Sequence, residues 1–172
     1  MSRLKIATLA AAGAAAMTAS IALSTSAYAV APATTTATFN CTTWGSGSVT
    51  LTATDTSGVK KLKLASTAIK VPAGTAPIGA NTITTVVKVT KNGVAGTTQF
   101  SGTVNPPMVA GGSVTVGPLP LTTGTLAAGD KTNVAPLAGA PGAANFTVSI
   151  TPPGVPSIYC TATSAQASDF TW

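Results

Sequence analysis

"TITTVVKVTKNGVAGTTQFSGTV", residues 82–104, sets two runs rich in β-branched residues on either side of Asn92-Gly93. An Asn-Gly pair readily takes the positive φ angles of a tight two-residue turn, so the runs read as the two arms of a β-hairpin. The same period of two recurs along the chain. In "GSVTLTAT", Val49, Leu51 and Ala53 fall on one face while Thr50, Thr52 and Thr54 fall on the other. In "ANFTVSIT", Phe146, Val148 and Ile150 oppose Thr147, Ser149 and Thr151, and in "SIYCTAT" Ile158, Cys160 and Ala162 share a face, which points the cysteine inward. Half-buried strands have this pattern, with β-branched Thr suited to the wet face.

Turn signals separate these stretches: Thr56-Ser57-Gly58, Asn105-Pro106-Pro107, Gly111-Gly112, Gly129-Asp130, Pro141-Gly142 and Pro152-Pro153-Gly154. Strands are therefore predicted over 36–42, 48–54, 60–66, 82–90, 97–104, 113–116, 120–126, 146–151 and 157–163, a count of seven to nine. Such spacing suits an antiparallel sandwich or a barrel. The expectation is all-β: one antiparallel β-sandwich of immunoglobulin-like Greek-key type over residues 30–172. The Gly/Pro/Ala-rich segment 127–144 is expected to be a long surface loop.

Upstream, Arg3 and Lys5 precede an Ala-rich apolar stretch that ends Ala27-Tyr28-Ala29. Basic head, apolar middle and Ala-x-Ala together predict a secretory signal peptide, residues 1–29, cleaved after Ala29. An uncleaved anchor is the alternative that the apolar length permits. With cleavage, no stable membrane span is expected, and no cysteine follows the triplet to carry a lipid. "GPLPLTTGTL", residues 117–126, comes within one residue of the Leu-Pro-x-Thr-Gly wall-sorting signal, but Thr122 and Thr123 both stand between Leu121 and Gly124. It reads instead as an edge strand bounded by Pro118 and Pro120.

Residues 30–172 hold seven Lys and three Asp, a net charge of +4, with no Arg, Glu or His. So modest an excess gives only a bias toward anionic surfaces. Cys41 and Cys160 are the only two cysteines, and in an exported chain they are expected to pair, the alternative being an intermolecular bridge or two free thiols. No metal site is expected, since nothing completes a ligand set. No cofactor motif or catalytic constellation is present either. Acid–base work needs His or a close carboxylate pair, whereas Asp55 and Asp130 sit in turn contexts. A Ser-Lys hydrolase, with Asp130 or Asp55 beside a lysine and a serine, remains as a third reading.

Lys60, Lys61 and Lys63, with Lys70 beyond, form the one charge cluster. Alternation puts Lys61 and Lys63 on one face and Lys60 with Leu62 and Leu64 on the other. Solubility and protection of an exposed sheet edge against pairing are the structural reading, and contact with an anionic envelope polymer such as teichoic acid or an acidic glycan is the functional one. Nucleic acid is not an expected partner, because Arg is absent and aromatics do not interleave with the lysines. Trp44 in "CTTWGSG" is a candidate stacking platform for carbohydrate, or else a cap on the disulfide and core.

The Ala-rich leader, "TATFNCTT", "IKVPAG", "FSGTVNPP", "LPLTTGTLAAGD" and "SIYCTATS" together make a layout that resembles small exported actinobacterial proteins with an immunoglobulin-like or similar sandwich between two terminal cysteines. The resemblance implies an exported domain, with no catalytic signature to carry over onto any residue here. Two functions are expected from it and from the residues. The first is a secreted envelope-associated or adhesive module, bound to cell-wall or other anionic polymer or to another secreted protein. The second is a soluble extracellular carrier or inhibitor that presents the Lys91-Asn92-Gly93 hairpin or the 127–144 loop. A lined apolar cavity distinguishes a carrier.

Overall fold

A computed structural model describes residues 29–172, so the predicted signal peptide lies outside the described residues except for Ala29. The hairpin that opens the sequence reading is present as β4 (Thr84–Lys91) and β5 (Val94–Gly102). Lys91 pairs with Val94 around Asn92 at φ 50° and Gly93 at φ 82°, the two positive angles that the Asn-Gly pair supplies at low cost.

The expected sandwich is not what these strands build. β1 (Thr34–Asn40), β2 (Ser46–Thr56) and β3 (Val59–Lys70) form a meander, the first turn being a short 3-10 helix at Thr42–Trp44. Residues 71–83 carry the chain to β4, and β5 leads to β6 (Ser113–Thr123). β7 (Lys131–Asn133), β8 (Val148–Thr151), β9 (Ile158–Ala162) and β10 (Phe170–Thr171) complete the order. β8 pairs with both β9 and β4, so the ring β4-β5-β6-β3-β2-β1-β9-β8 closes on itself as an eight-stranded antiparallel barrel. β7 pairs with the far end of β4, at Thr90 and Lys91, and β10 pairs with β7.

Closure depends on strands that turn a corner. β6 pairs with β3 from Ser113 to Pro120, then with β5 through Leu121 and Thr123. Between the Leu64–Val116 and Leu62–Leu119 pairs, Gly117 and Pro118 face Lys63 alone, which makes a bulge. Only glycine fits there: φ at Gly117 is 96°, and a Cβ would stand 2.6 Å from the Leu62 carbonyl oxygen. The sequence predicts one strand that ends at 116 and another that begins at 120. The structure joins them into a single strand with a neighbour on either side, not an edge.

Inside, the buried face of the long strands is mostly apolar, with Thr85 of β4 and Thr98 of β5 among the hydroxyls it also encloses. Phe39, Leu51, Leu62, Val87, Phe100, Val116 and Leu119 are all at most 1% exposed. An eight-stranded barrel is just wide enough for side chains to fill, and here they do. The disulfide Cys41–Cys160 lies across the β1–β9 junction, where Phe39 pairs with Ala162. The opposite end is closed by Trp172, which stacks on Phe100 at 5.6 Å and donates from its indole Nε1 to Thr132 Oγ1 at 2.8 Å. Segment 127–144 contains β7 and buries Thr132 and Val134.

Candidate functional site

The four lysines singled out from sequence do not stay together. Lys60 lies opposite Asp55 in the β2–β3 ladder, pairs with its carboxylate, and holds its ammonium 5.8 Å from the centre of the Trp172 ring. Its charge is thus spent at the closed end of the barrel. Lys61 is half-buried and Lys63 exposed on the outer face of β3, while Lys70 is exposed at the far end with Nζ 3.4 Å from Ser113 Oγ. β3 is flanked by β2 and β6, so edge protection does not account for these side chains, whereas solubility of an outer face still does.

Around them the outer face is hydroxylic. Thr36 of β1 pairs with Thr50 of β2, Thr50 with Ala65 of β3, and Ala65 with Thr115 of β6, while Thr34, Thr52 and Lys63 form the next row. Rows lie about 6.7 Å apart along a strand and about 4.8 Å apart across strands, from sheet geometry. Beside Lys70, a shallow cavity of about 250 Å³ is lined by Ser48, Thr50, Thr67, Ala68, Ser113 and Thr115 among others. Ser66 shapes it: its hydroxyl donates to the Ser48 carbonyl at 2.7 Å and accepts from the Ala68 and Ile69 amides at 3.2 and 3.0 Å, which holds an irregularity in β3.

The three described carboxylates are all engaged elsewhere. Asp55 also accepts from the Gly58 amide at 2.9 Å, closing the β2–β3 turn. Asp130 pairs with Lys91 at 2.9 Å and accepts from the Ala127 amide and the Asn92 side chain. The Lys91 hydrogen bond, then those of Ala127 and Asn92, lower its pKa from 3.8 to about 2. Asp169 takes a hydrogen bond from Asn133 Nδ2. Both Asp55 and Asp130 therefore stand beside a lysine, but among the described residues no serine hydroxyl hydrogen-bonds to either. Among the described residues no cluster of three metal-ligating side chains occurs.

Trp44 is 6% exposed and belongs to the core cluster, so it offers no open ring to a sugar; its burial is that of a cap beside Cys41. An aromatic site that the sequence reading missed lies elsewhere. Alternation places Phe146 on the core face with Val148 and Ile150, yet the chain bends at Thr147 and turns Phe146 outward, half-buried. Thr147 takes the inner position, 3% exposed, with Oγ1 accepting from the Ala162 amide at 3.0 Å. Phe146 meets Tyr159 at 5.5 Å, and Lys88 of β4 places its ammonium 3.5 Å over the Phe146 ring. Alternation did put Tyr159 outward; no local signal marked the bend.

Among the described residues no helix is long and apolar enough to cross a membrane. No family model, curated protein or solved structure matches the chain.

Proposed function

We propose that the chain is an exported, non-enzymatic module that works through the outside of its barrel and associates with an anionic polymer of the cell envelope. The observation that carries this reading is the outer face of β1, β2, β3 and β6. It presents Lys61, Lys63 and Lys70 in a field of Thr and Ser, with every described carboxylate paired or hydrogen-bonded elsewhere. The lysines span roughly 25 to 30 Å along β3, a layout suited to several repeats of a linear polyanion. Hydroxyl rows between them supply weak, sequence-tolerant hydrogen bonds to a polymer backbone. The predicted leader and the disulfide agree with an oxidising, extracytoplasmic destination.

Among the described residues, the apolar cavity inside the barrel beside Cys41 and Cys160 amounts to about 30 Å³, which favours an outer-face reading over a carrier with its ligand in the lumen.

The test is co-sedimentation of the purified, oxidised protein with isolated cell walls, repeated with the K61Q/K63Q/K70Q variant. Wild type should pellet with walls at low salt and be released near 0.5 M salt, where the screening length falls to roughly 4 Å. The triple variant should bind about tenfold more weakly. Recovery of wild type only as a free monomer, with no envelope fraction bound, refutes the reading.

A further inference from the structure

On the side of the barrel opposite that face, β4, β5 and the segment after β7 enclose a groove of about 200 Å³. Lys88 and Phe146 stand in its wall, and Ala95, Ala135, Leu137 and Ala144 supply small apolar surfaces. Five of the seven described aromatic residues are buried. The other two, Phe146 and Tyr159, are in contact with each other here, under the Lys88 ammonium.

Three features define what would fit. First, Lys88 is half-buried and, among the described residues, has no carboxylate within ion-pair distance and no hydrogen-bond acceptor; no acidic residue lines the groove. An ammonium held against an aromatic face, with its donors unspent, selects for an anion. Second, the remaining walls set Val89, Ala95, Ala135, Leu137 and Ala144 beside Thr90, Asn145 and Thr147, whose side chains are already hydrogen-bonded within the fold, so the surface left to a ligand suits small aliphatic side chains better than a ring of sugar hydroxyls. Third, the β4–β5 ladder jumps from Lys91–Val94 to Val89–Thr98, so that Ala95, Gly96 and Thr97 all face Thr90. This bulge leaves Ala95, Gly96 and Thr97 without individual partners in the β4 register, and Ala95 and Gly96 line the groove, where another extended peptide backbone could lie against them.

We propose that this groove binds the carboxylate end of a peptide with small apolar side chains, of the acyl-Ala-Ala kind. The terminal carboxylate sits on Lys88 Nζ, its methyl groups lie against Leu137 and Ala144, and its backbone meets the Ala95–Gly96 bulge. The site is separate from the lysine and hydroxyl face, and either can fail without the other.

The experiment titrates the oxidised wild-type protein with N-acetyl-Ala-Ala, in L and D forms, and with the corresponding carboxamides, followed by ligand-observed and protein-observed NMR. The carboxylates should bind at about millimolar strength and at least about tenfold more tightly than the carboxamides. Shifts should centre on Phe146, Ala144 and Gly96, not on Lys63 or Thr50. K88Q, with its melting temperature checked against wild type, should bring acid and amide within about twofold of each other. Lys131→Gln, at an exposed lysine outside the groove, should leave the titration unchanged. The proposal is overturned if wild type binds neither form, if acid and amide bind alike, if K88Q keeps the preference, or if the shifts map to another face.

Discussion

Replacing Thr85 by Val should stabilise the protein, although it deletes a hydroxyl from a β-rich core. Thr85 is 0% exposed, on the inner face of β4, and its Oγ1 has no hydrogen-bond partner; Thr98 of β5, 1% exposed, is in the same position. A buried hydroxyl left without a partner costs about 1 to 3 kcal/mol, and Val fills nearly the same shape with a methyl. Taking the low end, because Thr and Val differ little in packing, the gain is about 1 kcal/mol at each site. For a domain of this size that corresponds to about 4 °C in Tm. Thr132→Val is the matched control. Thr132 is 2% exposed, but its hydroxyl accepts from Trp172 Nε1, so the same chemical change strands a buried indole N–H and should cost about 1 to 3 kcal/mol. Urea unfolding measures both through the midpoint, with the slope unchanged. If Thr85→Val loses stability while Thr132→Val does not, the hydrogen-bond assignments inside the barrel are wrong.

Gly117→Ala should lower stability by about 3 kcal/mol or more, or yield insoluble protein, because the added methyl meets the Leu62 carbonyl at the barrel's corner; chemical denaturation decides it. Reducing the Cys41–Cys160 bond, whose cysteines are 119 residues apart, should cost about 5 kcal/mol, read as a drop in urea midpoint with and without reductant. Asp130 has its pKa lowered from 3.8 to about 2, so its contribution is present above about 4 and is lost as pH falls through about 2. Asp130→Asn should flatten that acid limb of the stability profile and leave neutral pH less stable, a comparison made by denaturation midpoints across the range.

What could be read beforehand follows from how local each signal is. The Asn92-Gly93 hairpin, the inward Cys160 and the alternation of β2 all depend on residues two or three apart, and all are present. The barrel is not local. Sandwich and barrel strands alternate in the same way, and only the Gly117 bulge and the β4–β8 pairing tell them apart. β7 and β10, three and two residues long, are too short to show a period. At the site, alternation separated Lys60 from Lys61 and Lys63 correctly, and it misassigned Phe146 because the bend at Thr147 answers to partners on β4 and β9. Trp44 had both readings open, and its burial selects the cap.

The Cys41–Cys160 bridge also sets how the molecule responds to force. Tension applied at residues 30 and 172 strips strand ends only until it meets the covalent link, after roughly 23 residues, or about 80 Å of released contour. With the link reduced, the same pull can unravel about 500 Å. The ring between the two cysteines is thus shielded from axial load, and a single-molecule stretching trace in oxidised and reduced buffer should show the short and the long extension respectively.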